Sequence, residues 1–198
     1  MHELSFGFSP CPNDTFAFHA VVHELVGSEL RVAPTLRDIE DLNRAARTGE
    51  LELSKLSVGA LAGLGDDYRP LRAGAALGHG VGPLVVAREA ASLAAAATGR
   101  IAVPGLDTTA YLLLRLAVPA LGEVVELRYD EILEAVAAGT VDAGLIIHES
   151  RFTYASHGLV EVADLGAWWE HETGMPVPRP TSRRSGSRPA FRPRSEEV

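Results

Sequence analysis

Cysteine is nearly absent from this chain. Cys11 is the only one in 198 residues, which excludes an intramolecular disulfide and fits a reducing compartment. Lysine is equally scarce: of 18 basic side chains only Lys55 is a lysine, and the others are arginine. Basic charge as a whole is outnumbered, 18 Lys+Arg against 26 Asp+Glu for a net −8, which argues against non-specific nucleic-acid binding. No apolar run is long enough to span a bilayer; "ASLAAAATG" is short and bounded by Arg88 and Arg100. The N-terminus, MHELSFGFSP, lacks the basic start, apolar stretch and small-residue cleavage site of a secretory signal. These absences lead to the expectation of a cytoplasmic, soluble protein with neither membrane nor nucleic-acid partners.

What is present is the composition of a globular protein, 46% hydrophobic and 22% charged, with length enough for one good-sized domain or two small lobes. Short apolar runs alternate with helix-like segments. Residues 3–8, 29–35 and 51–57 read as strands, and 14–25 and 38–49 as helices, the second closed by Gly49. A short helix follows 57, and 69–77 and 82–88 are further strands. The cycle then restarts, with helices at 89–97, 107–118 and 130–139 and strands at 99–105, 123–129 and 141–147. Alternating β and α elements predict an α/β fold with mostly parallel sheets, and a break near 85–90 predicts two lobes with a cleft between them. Ligands in open α/β sheets bind beyond the carboxyl ends of the strands, so the turns after strands are the candidate sites.

Four turns stand out. In "SPCPNDTF" (9–16) two prolines fix the loop and Asn13 or Asp14 can cap the following helix; Cys11 is a potential nucleophile or simply a small buried residue. In "LSKLSVGA" (53–60), Lys55 is flanked by Ser54 and Ser57 where a strand hands over to a helix; it suits an anionic or carbonyl group, or is an ordinary surface lysine. In "VPGLDTTAYLLL" (103–114) a strand ends and a helix begins near Asp107–Thr108, where free N–H groups and the helix dipole favour an anion; Thr108 and Thr109 add hydroxyls, and Asp107 or Thr108 can cap. In "VDAGLIIHESRFTY" (141–154) a buried strand ends at His148, which is suited to general-base work or is merely hydrogen-bonded. No metal set is visible: His19 and His23 stand four apart without an HExxH pattern or an acidic third ligand. "GHGVGPLVV" (78–86) precedes a strand rather than opening a helix, so it is a poor dinucleotide fingerprint.

Taken in order, "SPCPNDTFAFH" (9–19), "LSKLS" (53–57), "GPLVV" (82–86), "PGLDTTAYLLL" (104–114), "IIHESRFTY" (146–154) and "GLVEVADLGAWWEHETGMPVP" (158–178) resemble the 1,4-dihydroxy-6-naphthoate synthase family of the futalosine route to menaquinone. The resemblance covers residues 3–178. It implies a two-lobed type II periplasmic-binding-protein-like fold with a two-stranded hinge. The lobes are then 1–88 and 89–172, with a return hinge at 173–178. It implies a lyase that converts cyclic dehypoxanthinylfutalosine, a small-molecule substrate, to 1,4-dihydroxy-6-naphthoate, without metal or organic cofactor. His148 matches the catalytic histidine. Thr108, Thr109 and Ala110 match the carboxylate-holding turn, and Ser54, Lys55, Ser57, Asn13 and Asp14 fall in matching first-lobe loops. A solute-binding protein of the same fold and an inactive truncated product are the rival readings.

Two departures stand beside the matches. The family more often has Arg at position 79 and a small residue or Cys at 81, where this chain has His79 and Val81. After "GMPVP" the family continues with an apolar strand and helices, whereas here the text becomes "RPTSRRSGSRPAFRPRSEEV". Those last 20 residues hold 6 of the 18 Lys+Arg and 2 of the 26 Asp+Glu, a basic end on an acidic chain. The expectation is a non-family, disordered tail over 179–198, produced by a shift of reading frame near codon 179, with the first lobe left incomplete.

Overall fold

Two α/β units make up the protein, described here by a computed structural model over residues 3–26, 31–179 and 181–185. In chain order the elements are β1 (Glu3–Phe8), α1 (Pro12–Val22), β2 (Arg31–Leu36), α2 (Ile39–Arg47), β3 (Leu53–Lys55), α3 (Val58–Gly63), β4 (Tyr68–Pro70), β5 (Ala76–Gly78) and β6 (Leu84–Ala87). There follow α4 (Leu93–Ala96), β7 (Arg100–Val103), α5 (Thr109–Ala117), β8 (Glu123–Glu126), α6 (Ile132–Ala137), β9 (Ala143–Ile146), α7 (Ser150–Thr153), β10 (Val160–Asp164), α8 (Leu165–Thr173), β11 (Val177–Arg179) and β12 (Thr181–Arg184).

The first unit comprises the described residues of Met1–Leu56, Leu64–Ala75 and Pro180–Val198. Its sheet runs β2-β1-β3-β12-β4. β1 alternates as a half-buried strand should, sending Leu4, Phe6 and Phe8 inward. Phe6 meets Phe18 of α1 edge-to-face at 4.8 Å between ring centroids, and Phe8 completes the aromatic cluster. Helix α2 buries Leu42, Ala45 and Ala46, and its N-cap Asp38 accepts the Glu40 N–H.

The second unit comprises Ser57–Gly63 and Ala76–Arg179. Its sheet runs β10-β6-β9-β7-β8, with the hydrophobic run of β9 buried throughout. Ile132, Leu133 and Val136 of α6 pack on Leu84, Val86, Ala102 and Ile146, each fully buried aliphatic contributing about 1.5–3 kcal/mol. A separate antiparallel pair joins β5 to β11, at two of the four places where the chain passes from one unit to the other.

The structure differs from the sequence expectation in four respects. The sheets are mixed rather than mostly parallel: β1, β2 and β3 are parallel, as are β7, β8 and β9, but β12, β6 and β10 run against their neighbours. The first unit does not run to residue 88, because β6 pairs with β9 and β10, and because α3 lies with the second unit. Gly59 explains the placement of α3: a Cβ there would lie 2.7 Å from the Thr108 carbonyl oxygen, so only glycine lets α3 approach that backbone. The expected strand 69–77 is two strands in different sheets, broken at Gly74 with φ 79. Finally, residues 181–184 are not tail. They form β12, bonded to β3 on one side and β4 on the other, with Ser182 fully buried between them. The expected disorder of 186–198 lies outside the described residues.

Candidate functional site

In the second unit the parallel strands β7, β8 and β9 end at one edge of the sheet, at Val103, Glu126 and Ile146. The antiparallel strand β6 begins at that edge and β10 finishes there, because Leu84 is in register with both Ile146 and Asp164. Five connections therefore converge on one rim. Topology, not proximity in sequence, brings Gly82, Thr108, Tyr129, His148 and Asp164 to it.

His148 stands two residues past the end of β9. Its φ is 56, in the left-handed region that costs a residue with a Cβ roughly 1–2 kcal/mol. The side chain is half-buried, and its imidazole meets the Tyr129 ring edge-to-face at 5.3 Å between centroids. Glu149 is exposed and turns away into α7, so it does not orient the imidazole along the chain.

Thr108 is the N-cap of α5. Its hydroxyl donates to the Gly105 carbonyl at 2.8 Å and accepts the Tyr111 N–H at 3.1 Å, and the side chain is 3% exposed. That hydroxyl is thus committed within the turn. What the turn offers an anion is the N–H groups of Thr109 and Ala110 at the first two helical positions, which have no acceptor inside a helix, and the positive end of the dipole. The Thr109 oxygen accepts the Val58 N–H at 2.9 Å and so fixes the start of α3 to the start of α5. Ser57, buried beside it, supplies the carbonyl that accepts the Leu61 N–H.

In the first unit β1, β2 and β3 likewise end at a common edge. The helix α1 begins with Cys11 at the N-cap and Pro12 at the first position, so neither Asn13 nor Asp14 is the cap. Asp14 is one turn in, 5% exposed, and reaches back to accept the Ser9 amide at 3.2 Å and the Ser9 hydroxyl at 2.8 Å. Cys11 is half-buried, its Sγ 2.9 Å from Ser9 Oγ. Lys55 is no surface lysine. It is 3% exposed, its Nζ donates to the Gly74 carbonyl at 3.0 Å, lies 3.7 Å from Asp14 Oδ1, and sits 5.7 Å from the centre of the Phe18 ring. Ser54, wholly buried in β3, donates to the Lys55 carbonyl. Among the polar side chains of this group Asn13 is the exposed one, between the exposed Pro12 and the buried Asp14.

Sequence reasoning passed over Tyr129, Ser9 and the Arg151–Asp164 ion pair. The pattern of 123–129 predicts a strand with Tyr129 as its last residue; β8 ends at Glu126 and leaves Tyr129 in the turn that follows, and nothing in "LRYDE" marks it. Ion-pair partners 13 residues apart carry no sequence signal at all. Among the described residues no group of three His, Cys, Asp or Glu could hold a metal ion, and no helix is long and apolar enough to cross a membrane.

The sequence profile of the menaquinone biosynthesis family matches residues 4–179. A protein of Thermus thermophilus named 1,4-dihydroxy-6-naphtoate synthase is 59% identical over 179 residues, covering 90% of this chain and 64% of its own length. One of the same name from Streptomyces coelicolor is 47% identical, with 88% and 63% covered. The chain thus spans less than two thirds of the length of these relatives. Among solved structures, protein AF1704 of Archaeoglobus fulgidus superposes with a TM-score of 0.87 at 43% identity, over 94% of this chain and 69% of that one. An alkanesulfonate-binding protein of Xanthomonas axonopodis superposes at 0.70 with 16% identity, over 92% and 65%, a likeness of fold alone. The fold is therefore the α/β fold of the periplasmic solute-binding proteins.

Proposed function

The chain belongs to the menaquinone biosynthesis family, and on that premise we propose that it is a lyase that converts cyclic dehypoxanthinylfutalosine to 1,4-dihydroxy-6-naphthoate with His148 as general base. The observation that carries this is the conformation of His148: a strained, half-buried imidazole at the end of a buried strand, on the rim that also bears the N-terminus of α5. Backbone strain in a non-glycine residue persists where surrounding structure over-determines it, and it clusters at active sites.

In this reading the substrate's ring carboxylate rests on the N–H groups of Thr109 and Ala110, with Thr108 holding the turn rigid. His148 takes a proton from the bound substrate, the enolate-like charge that develops is held by nearby donors, and the carbon–carbon bond then breaks. Ser57 supports the same turn through α3. In the first unit the Ser9–Asp14 bonds and the Asp14–Lys55 pair hold the 9–14 loop, Ser54 is buried next to Lys55 in β3, and Asn13 is the polar side chain that the loop leaves exposed. No step calls on a metal or an organic cofactor.

The test is direct. The purified chain is incubated with cyclic dehypoxanthinylfutalosine and naphthoate is followed by chromatography, with His148→Ala alongside. Product from the chain and none from the variant is the expected result. Equal product from both removes His148 from the chemistry. No product from either removes the activity from this chain.

A further inference from the structure

A left-handed histidine needs something to hold it, and the turn after it is weak. Helix α7 is four residues long, and only Ser150 in it is buried. One side chain ties this turn to the sheet. Arg151 Nη1 donates to the Gly82 carbonyl at 2.8 Å, and Nη2 donates to Asp164 Oδ2 at 2.5 Å. The backbone N–H of Arg151 meanwhile donates to the His148 carbonyl at 3.3 Å. Gly82 leads into β6 and Asp164 ends β10, so a single guanidinium joins the histidine turn to two strands.

The anchor points are themselves fixed. Asp164 Oδ1 accepts the Ala167 N–H at 2.9 Å as the N-cap of α8, and the Leu165 N–H donates to the Pro83 carbonyl at 2.9 Å. A Cβ on Gly82 would lie 2.3 Å from Gly166 Cα, so the two backbones are in direct contact. On the other flank of β9, the Tyr129 ring lies against the imidazole. The pull of the clamp from one side and the Tyr129 ring on the other leave the turn little freedom.

We propose that Arg151, locked by Asp164, is the positioning residue that holds the His148 turn in its left-handed conformation and the imidazole against Tyr129. As a role in catalysis, it rests on the reading of His148 as the base. The guanidinium serves the Gly82 carbonyl and the Asp164 carboxylate through two separate nitrogens held in one plane, a spacing that the single nitrogen of a lysine ammonium does not reproduce at this position.

One readout needs no substrate. Beside the Tyr129 ring, the His148 ring protons resonate away from their random-coil positions; their signals are identified by loss in His148→Gln, and Tyr129→Leu shows where they fall without the ring. Arg151→Lys and Asp164→Asn are both expected to move them toward the Tyr129→Leu positions. Asp164→Asn keeps an oxygen for the Ala167 N–H, so it breaks the clamp while leaving the helix cap, and it decides the matter if Arg151→Lys does not fold. The second readout is turnover: each variant is expected to lower kcat by roughly ten- to hundred-fold with KM within about threefold, and the double variant to fall no further than the worse single one. Unmoved His148 signals in Asp164→Asn overturn the clamp, whatever the activity. Signals that move without any change in kcat keep the clamp and remove the base assignment. If the chain shows no turnover at all, the signals alone decide whether Arg151 positions the ring.

Discussion

His148 inverts the ordinary rule for substitution. At most positions alanine is more stable than glycine, because glycine gains more freedom on unfolding. At φ 56 the order reverses, since only glycine lacks the Cβ that makes the left-handed region costly. His148→Gly is therefore expected to be more stable than His148→Ala by about 1 kcal/mol, both lacking the ring, as read from urea unfolding. Lys55 makes the opposite point. Its charge is buried beside Asp14, so Lys55→Met leaves a buried carboxylate without its cation and is expected to cost about 3–5 kcal/mol in the same experiment. A lysine that merely decorated the surface would change stability by less than about 0.5 kcal/mol. Scarcity drew attention to this residue in the sequence, but nothing there distinguished a ligand-holding ammonium from one neutralised inside the protein. That distinction depends on Gly74 and Phe18, which are brought to it only by the fold.

Elements show where local signals suffice. Helix α2 was legible from Asp38 to Gly49 because its apolar face and both ends are written in adjacent residues, and Gly49 indeed takes φ 66 after the Thr48 C-cap. The strands β1, β7 and β9 were legible for the same reason, and the cap of α5 was narrowed to Asp107 or Thr108, of which Thr108 caps. The alanine-rich stretch 89–97 was not: Ser92 turns its hydroxyl to the Ala95 N–H and starts the helix there, so only Leu93–Ala96 is helical. β12 was hidden because its sequence is polar, while its place between β3 and β4 depends on backbone pairing. The element α8 carries a pH signature. Burial by itself raises the Asp164 carboxyl, but the Arg151 bond, the Ala167 and Gly166 N–H groups and the Arg151 charge together bring it below its ordinary value. A carboxyl depressed in the folded state contributes stability that is fully present above its unfolded pKa, about 4, and is lost as pH falls through the lower folded value. Wild type and Asp164→Asn are accordingly expected to differ in melting temperature at neutral pH and to converge as pH drops below about 4.

At the scale of the whole molecule, the described residues form two five-stranded mixed sheets, and the strand between β3 and β4 in the first comes from the polar stretch after residue 180. Ending the chain at residue 179 would leave β3 with an unpaired edge and take from β4 its neighbour in that sheet. Amides of β3 and β4 are then expected to lose hydrogen-exchange protection while those of β7 and β9 keep it; equal protection with and without 181–184 would contradict the strand's role. The rim of the second sheet carries the chemistry proposed for the family member as a whole, and the strained histidine on it is the central claim. The measurement that bears on it most directly is His148→Asn, assayed for cyclic dehypoxanthinylfutalosine binding by calorimetry and for naphthoate formation in the same preparation. The account predicts binding within a few-fold of wild type and turnover lowered by about 10²–10⁴-fold, the range for a lost general base. Turnover close to wild type with an asparagine at position 148 would contradict it.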